Sequence, residues 1–294
     1  MVRLLGLDFA DLDAAGAATL IAQRSADAPF AYVVTPNADH LVRLARAPAL
    51  ASVYREAWLR LMDSRIVARA ARCLGLRRPR VCPGSDLTAF LLAAWVRPRD
   101  AITVIGLRPA ALAVLARRYR LTHLAHHDPP MGFADDPAAF AAARDFAVAH
   151  PARFTFLAVG SPGQEQLAAA IAGTGQASGL GLCIGASLDF LAGVTPRAPG
   201  WMQRAGLEWL HRLARDPRRL ARRYLWNDLA IFRLLWRERL ARGDLLRSKL
   251  TEDRRAVEEA EMVPRAPRTH SRRLQRTPPA PRVTERDRNG RGAP

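Results

Sequence analysis

Two polar segments follow apolar runs near the start of the chain, and their side chains could take part in sugar or phosphate chemistry. Thr35 and Asn37 lie at the end of the run 31–35, and Asp63 follows the run 59–62. A hydroxyl and an amide can hold a sugar or a phosphate, and a carboxylate can take a proton from an acceptor hydroxyl. Thr-Pro-Asn is also an ordinary turn, and Asp63 could instead cap the helix that follows it. These residues alone leave both interpretations open.

Three later segments add side chains of similar character. Arg80 could reach a diphosphate, although a lone arginine is usually a solvated charge, and Gly84 allows a close approach of the backbone. Gln164 could hydrogen-bond a nucleotide or a sugar. Asp189 follows the apolar run 182–185 and lies in a predicted short helical turn. These groups could form one site if their segments meet at one edge of a sheet.

The order of the predicted elements indicates such a sheet. Apolar runs typical of buried strands alternate with segments of helical periodicity. The predicted strands are 31–35, 59–62, 102–105, 121–125, 154–159 and 182–184, and the predicted helices are 39–45, 66–74, 87–95, 110–119, 137–149 and 165–172. This alternation predicts an α/β fold, a Rossmann-like parallel sheet with helices on both faces. Ligands of such sheets bind beyond the carboxyl ends of the strands, which is where the polar residues fall.

Positive charge is concentrated toward the carboxyl terminus. Residues 1–200 carry 21 Lys+Arg against 15 Asp+Glu, whereas residues 201–250 carry 13 against 5. A basic region attached to a nearly balanced core indicates an anionic partner, such as phospholipid, a nucleotide or nucleic acid.

Helical periodicity continues in this basic region. One amphipathic helix is predicted from Trp201 and a second from Arg218, and both mix arginine with tryptophan or other aromatic residues, as helices at an anionic membrane surface do. From about residue 252 the chain is rich in Pro, Arg and Thr and has almost no apolar content. We therefore predict three regions: an α/β core at 1–199, a basic helical appendage at 200–250 and a disordered tail at 251–294.

Residues that hold metal ions in other enzymes are poorly placed in this sequence. The Asp-x-Asp pair, Asp11 and Asp13, precedes the strand 31–35 and is typical of the acidic start of a helix. We therefore expect no metal and no cofactor. The three cysteines are predicted to be free thiols in a reducing compartment. The longest apolar run, 87–96, is about half of the roughly 20 residues that span a bilayer, so we expect a cytoplasmic protein that touches a membrane from its surface.

The segment Leu182–Leu213, L-C-I-G-A-S-L-D-F-L-A-G-V-T-P-R-A-P-G-W-M-Q-R-A-G-L-E-W-L-H-R-L, resembles the signature of the WecG/TagA/CpsF glycosyltransferases, bacterial enzymes of surface-polysaccharide assembly. The segment that begins at Arg80 is similar to the family's R-V-x-G-x-D-L. The segment Gly160–Glu165 is similar to its G-x-P-K-Q-E, with Gly163 in place of the usual lysine. The family's strand-end threonine, asparagine and aspartate correspond here to Thr35, Asn37 and Asp63.

The resemblance implies a metal-independent enzyme that moves a sugar, with inversion, from a UDP-sugar to a polyprenyl-diphosphate-linked saccharide acceptor. It implies that Asp63 is the catalytic base and that Thr35 belongs to the catalytic group. The implied substrate-binding residues are Asn37, Arg80, Gly84, Gln164 and Asp189, joined from the appendage by one or more of Arg212, Arg219 and Arg222. The appendage is expected to reach toward the active site and toward the anionic inner face of the cytoplasmic membrane.

The alternative is a basic nucleic-acid-binding α/β protein without catalytic activity. It would explain the charge, but such a protein would be expected to spread arginines and aromatic residues over its core. The core here is nearly balanced in charge, and its aromatic residues fall mostly in apolar runs. We therefore favour the enzyme and expect no nucleic-acid partner.

Overall fold

The chain begins with an antiparallel hairpin and continues into a six-stranded parallel sheet. The computed structural model describes residues 1–215, 217–218, 229–244 and 252, and residues 1–245 form one compact unit. The hairpin joins β1 (Val2–Leu4) to β2 (Leu7–Phe9) through Leu5 and Gly6, which both have positive φ, as in a two-residue type I′ turn. The sheet strands are β3 (Ala31–Val34), β4 (Leu59–Arg60), β5 (Ala101–Gly106), β6 (His123–His127), β7 (Ala152–Ala158) and β8 (Gly179–Cys183).

The sheet has the order β4-β3-β8-β7-β5-β6, and each neighbouring pair is parallel. In its centre, Val33 pairs with Leu59 on one side and with Leu182 on the other. Because successive side chains of a strand point to opposite faces, Tyr32 and Val34 enter one buried cluster and Val33 enters the other. Both faces of the sheet are therefore covered, as is usual for parallel sheets.

Helices supply that cover on both sides. In chain order they are α1 (Ala14–Ala22), α2 (Ala38–Arg46), α3 (Pro48–Glu56), α4 (Arg65–Cys73), α5 (Gly84–Ala94), α6 (Pro109–Tyr119), α7 (Pro137–Ala149), α8 (Gly163–Gly173), α9 (Ser187–Leu191), α10 (Gly200–Ala205) and α11 (Glu208–Arg215). Helices α2, α3, α4, α7 and α8 pack into the cluster that holds Tyr32. Helices α1, α5, α6 and α9 pack into the cluster that holds Val33.

The helix predicted from Trp201 is in fact two short helices. Gly206 ends α10 in the left-handed conformation, with a φ of 73°, and the Leu207 amide donates to the Met202 carbonyl at 2.8 Å. This geometry is a common helix ending that glycine adopts without steric cost. The continuous helix suggested by the apolar spacing is therefore wrong.

A further helix, at residues 230–244, packs on the N-terminal hairpin. Ile231 and Leu235 are 1% and 0% exposed and belong to the same buried cluster as Leu4. Glu238 accepts a hydrogen bond from the Leu5 amide, and Arg242 donates one to the Arg3 carbonyl at 2.7 Å. Both ends of the compact unit thus meet.

The predicted α/β fold with a Rossmann-like parallel sheet is confirmed. Strand β6 begins two residues later than predicted. The hairpin and α3 were not predicted, and of α1 only the acidic start was predicted. The division at residue 199 stays a prediction, and the predicted tail, 251–294, lies outside the described residues except for residue 252. Within the described ranges, no helix combines the length and the apolar character that crossing a membrane requires.

Candidate active site

A cavity of about 520 Å³ lies at the carboxyl edge of four neighbouring strands, β4, β3, β8 and β7. The segments that follow these strands supply one side of it, here named the strand-end wall. Its members are Thr35, Asn37, Asp63, Gly160, Ser161, Gln164, Gly185 and Asp189. Parallel strands bring their carboxyl ends to one edge. Thr35 and Asp189, which are 154 positions apart in the chain, therefore line the same cavity. Five of the residues predicted for the site meet here.

Asp63 lies where the chain leaves the sheet after β4. Its amide donates to the Pro36 carbonyl at 3.1 Å, and its Oδ1 accepts a hydrogen bond from the Gly84 amide at 3.3 Å. The cap of α4 is Ser64, whose hydroxyl oxygen accepts from the Val67 amide at 3.2 Å. The alternative role of Asp63 as the helix cap is therefore wrong, and its carboxylate lines the cavity.

Thr35 and Gly84 lie against each other beside that carboxylate. The Thr35 hydroxyl donates to the Cys183 carbonyl at 3.3 Å, which ties the end of β3 to β8. A methyl group on Gly84 would lie 3.0 Å from Thr35 Oγ1 and 3.6 Å from Ser187 Oγ. Glycine thus lets the first turn of α5 approach the strand ends.

Asn37 has two roles in the structure. It lines the cavity, and its Oδ1 accepts a hydrogen bond from the His40 amide at 3.3 Å as the N-cap of α2. His40 and Arg43, on the following turns of α2, also line the cavity. Sequence analysis missed both, although their spacing of three residues after a cap places them on one face of the helix.

Gln164 is the second residue of α8, and its side-chain amide has a hydrogen-bond partner on each side. Its Oε1 accepts from the Gly185 amide at 2.9 Å, and its Nε2 donates to Glu165 Oε1 at 2.9 Å. Glu165 itself is 1% exposed. Burial raises the pKa of its carboxyl, and the hydrogen bond from the Gln164 side chain works against that rise.

Asp189, on α9, brings a second carboxyl to the cavity. Partial burial raises its pKa, and the charge of Arg108 opposes the rise. Arg108 follows β5, so the carboxyl end of a fifth strand contributes to the electrostatics of this edge.

A second part of the cavity lining, here named the α11 wall, consists of Glu208, His211 and Arg215. None of the three was predicted for the site. Their spacing of three and four residues puts them on one face of a helix, so the basic amphipathic pattern of this region contained the signal.

Polar contacts join the helices of the α11 wall to the core. Arg197 contacts Asp86 on α5 at 2.6 Å and Glu208 on α11 at 3.6 Å. Arg69, on α4, donates to the Arg204 carbonyl at 2.9 Å and also to the Ala205 carbonyl. We call Arg69 and Arg197 the two clamping arginines.

Arg80 is not brought to the cavity. Its amide donates to Asp11 at 2.8 Å, and its guanidinium lies 3.6 Å from Asp13, with the side chain 65% exposed. Arg212 lies on α11, but its side chain is outside the described residues, as are Arg219 and Arg222. The binding roles of these four arginines stay predictions.

Gly163 stands at the first position of α8, packed against the 3₁₀ turn Phe133–Asp135. A methyl group there would lie 3.2 Å from Ala134 Cβ and 3.3 Å from the Phe133 ring. The turn therefore fills the space that a longer side chain at position 163 would enter.

The Asp-x-Asp pair has a structural role. Asp13 is the N-cap of α1, with its Oδ1 accepting from the Gly16 amide at 2.9 Å, as predicted for the start of a helix. Within the described part of the chain, no group of three or more His, Cys, Asp or Glu is placed to hold a metal ion.

Comparison with known families agrees with this geometry. The sequence model described as the glycosyl transferase WecG/TagA/CpsF family matches residues 2–244, which include the whole sheet, both walls of the cavity and the helix that packs on the hairpin. Comparison with curated proteins found no match. Since the family match extends over most of the sequence and takes in every described residue of the cavity, the chain belongs to the WecG/TagA/CpsF family of glycosyltransferases.

Proposed function

We propose that this glycosyltransferase moves a sugar from a UDP-sugar to a hydroxyl of a polyprenyl-diphosphate-linked saccharide, with inversion and without a metal ion. The observation that carries the proposal is the position of Asp63. Its carboxylate lines the cavity at the carboxyl edge of the sheet and accepts a hydrogen bond from the Gly84 amide. A carboxylate so placed can act as the general base of a single displacement.

In that displacement the acceptor oxygen attacks the anomeric carbon of the donor sugar. Asp63 takes the proton of the acceptor hydroxyl as the new carbon–oxygen bond forms. The bond from the anomeric carbon to the diphosphate oxygen breaks on the opposite face, and UDP leaves with the electron pair. Attack and departure on opposite faces invert the anomeric configuration. Thr35, which lies beside Gly84, supports the position of the base.

The leaving diphosphate requires positive charge or hydrogen-bond donors. Arg215 and His211 of the α11 wall face the cavity and can supply them. Arg212, Arg219 and Arg222 are further candidates from the same basic region. Preorganised donors at the position where charge develops are a large contribution to catalysis, so we propose that arginines stabilise the leaving group in place of a divalent ion.

The helix at 230–244 supports the proposed membrane surface. Its exposed face and the residue just before it together present four apolar side chains, each about half exposed, in a stripe with the spacing i, i+3, i+7 and i+11: Leu229, Phe232, Trp236 and Leu240. Its other face is anchored by Ile231 and Leu235. Arginines flank the stripe at 233, 237 and 239. An apolar stripe with aromatic residues between cations suits an anionic bilayer interface, which we propose to be the inner face of the cytoplasmic membrane.

A panel of UDP-sugars, offered with a short-chain polyprenyl-diphosphate-linked acceptor, tests the chemistry. We expect transfer from at least one UDP-sugar, release of UDP and a product of inverted anomeric configuration. Binding of RNA or DNA in place of UDP, or a product with retained configuration, would contradict the proposal.

Sedimentation with liposomes tests the surface separately. The wild-type protein should sediment with vesicles that contain phosphatidylglycerol and not with vesicles of phosphatidylcholine alone. The double variant Phe232→Ala/Trp236→Ala should lose most of this binding. Leu20→Ala, which removes an exposed apolar side chain on α1, is the matched control and should sediment normally. Undiminished sedimentation of the double variant would show that the stripe is not the surface that binds the membrane.

A further inference from the structure

We propose that Glu165 is a positioning residue of the active site, which fixes the side-chain amide of Gln164 in the orientation that it has at the cavity. The inference rests on the proposed function, because it takes Gln164 to contact the UDP part of the donor. It assigns a role to a buried acid that the displacement itself does not use.

The orientation of the Gln164 amide follows from its two partners. The Gly185 amide is a hydrogen-bond donor, so the Gln164 atom that faces it at 2.9 Å must be the oxygen. The nitrogen must then face Glu165, where Oε1 accepts from it at 2.9 Å. This reasoning from partners is the usual basis for assigning a side-chain amide. Gln164 is 3% exposed, so without Glu165 its NH₂ group would lose a partner that water cannot easily replace.

Glu165 is enclosed by groups from several elements. The hydroxyls of Tyr54 on α3 and Ser161 in the loop after β7 face its carboxyl, and Tyr32 of β3 and Cys183 of β8 lie close enough to interact with its charge. Arg43 of α2 reaches this group only through Ser161, to whose hydroxyl it donates at 3.0 Å. Arg43 also pairs with Asp39. The cation thus has its own carboxylate and contacts Ser161 rather than the Glu165 carboxyl.

The two oxygens of Glu165 differ in their surroundings. Oε1 accepts from Gln164, whereas Oε2 is buried and receives no hydrogen bond of normal geometry from the described residues. A buried carboxylate with one oxygen unsatisfied is costly. Burial accordingly raises the pKa of Glu165. Burial therefore favours the neutral form of the acid, in which Oε2 carries the proton and Oε1 still accepts from Gln164.

Binding of UDP, measured by calorimetry, provides the main test. Glu165→Met keeps the volume and removes the acceptor, and we expect it to weaken UDP binding about 3- to 10-fold, the effect of one hydrogen bond. Glu165→Gln retains an acceptor oxygen toward Gln164, so it should bind UDP within about twofold of the wild type. In a Gln164→Ala background, Glu165→Met should cause no further loss, because residues that act as a unit are not additive.

Stability against pH separates this role from simple packing. Because the folded pKa of Glu165 is raised, its contribution to stability is greatest below the unfolded value of about 4.3 and is lost as pH rises toward the folded value. Glu165→Gln has no proton to lose. Its thermal midpoint should therefore rise relative to that of the wild type between pH 5 and pH 8. An unchanged difference between these pH values would contradict the neutral acid.

The remaining outcomes are also decisive. Failure of the wild type to bind UDP would refute the proposed function. A wild type that binds UDP, together with a folded Glu165→Met that binds it equally well, would refute the positioning role alone. A further loss of UDP binding when Glu165→Met is added to Gln164→Ala would also refute the positioning role. If Glu165→Met does not fold, hydrogen exchange of the Gln164 side-chain amide in the wild type decides: slow exchange is expected, and exchange at the rate of an exposed glutamine would overturn the proposal.

Discussion

The two walls of the cavity are held in place by different kinds of contact. The strand-end wall follows strands whose side chains are buried on both faces of the sheet, and backbone amides fix its polar groups, as the Gly84 amide does for Asp63. In contrast, no residue of α10 is buried. The helices that carry the α11 wall are joined to the core by the clamping arginines, Arg69 and Arg197.

This difference separates two tasks of a transferase. The proposed base lies on the rigid part, where a misplacement of 1 Å would be costly to the rate. The groups proposed to bind the leaving diphosphate lie on a part whose attachment depends on solvent-accessible polar contacts, which are individually weak. We infer that variants of the strand-end wall affect turnover, whereas variants of the α11 attachment affect substrate affinity.

The largest effect is expected for Asp63→Asn. Asparagine keeps an oxygen for the Gly84 amide but cannot take the acceptor proton, so turnover should fall roughly 10²- to 10⁴-fold with UDP affinity and thermal midpoint nearly unchanged. Steady-state kinetics and calorimetry measure the two quantities. Asp145→Asn, on an exposed carboxylate of α7, is the control and should behave as the wild type. Normal turnover of Asp63→Asn would end the assignment of Asp63 as the base.

The next largest effect concerns stability. It shows whether the helix at 230–244 is attached to the core as weakly as the helices of the α11 wall. Leu235 is fully buried and Trp236, its neighbour on the same helix, is 55% exposed. Leu235→Ala should lower the free energy of unfolding by about 2–5 kcal/mol, as cavity-forming substitutions do. Trp236→Ala should change it by less than about 0.5 kcal/mol. Equal effects in denaturant titrations would mean that the helix at 230–244 is not anchored through its inner face.

Arg197→Ala should have a smaller effect, on affinity rather than turnover. It removes the contacts to Asp86 and Glu208 that join α5 to α11. Since a partly exposed ion pair contributes up to about 1 kcal/mol, we expect KM for the donor to rise about 3- to 6-fold while kcat changes little. Arg144→Ala, which breaks an exposed pair with Asp145, is the matched control. A fall in kcat without a change in KM would reverse the proposed division between the walls.

The smallest effect is expected from a chelator. Asp13 caps α1, and Asp11 accepts a hydrogen bond from the Arg80 amide. We propose that arginines, rather than a metal ion held by these two residues, stabilise the leaving group. Initial rates with and without EDTA should therefore agree within about twofold, which we take as equivalent to no change in the barrier. Activity that requires added magnesium or manganese would replace the arginine-based mechanism with a metal-assisted one.

The sequence predicted the sheet better than it predicted the cavity. Long apolar runs such as 154–159 and 102–105 showed the strands, because a parallel sheet buried on both faces needs continuous apolar residues. The hairpin was not predicted because each of its strands has only three residues, which are too few to show a periodic pattern. The break at Gly206 was not predicted because the apolar spacing continues across it. Only the left-handed conformation of Gly206 shows that the helix ends there.

For the site, residues at strand ends were predictable and those placed by tertiary contacts were not. Thr35, Asn37 and Asp63 directly follow strands, so the fold class alone brings them together. The β-bridge to Met62 is made by Val81. Arg80 comes before this bridge rather than after it, and it therefore lies away from the cavity. The amphipathic pattern puts His211 and Arg215 on one face of a helix, but it does not show what that face meets, and only the tertiary structure brings it to the cavity.

The hairpin is synthesised well before the helix at 230–244, which completes its packing. The Leu5 amide and the Arg3 carbonyl find their partners in Glu238 and Arg242, which are 233 and 239 residues away in the chain. At translation rates of about 5–20 residues per second, the delay is on the order of 10–50 s. During that time Leu4 and its neighbours lack the cover that Ile231 and Leu235 provide in the folded protein. The nascent chain therefore presents an incomplete apolar surface at the hairpin, where a chaperone would be expected to bind, until residue 244 has left the ribosome.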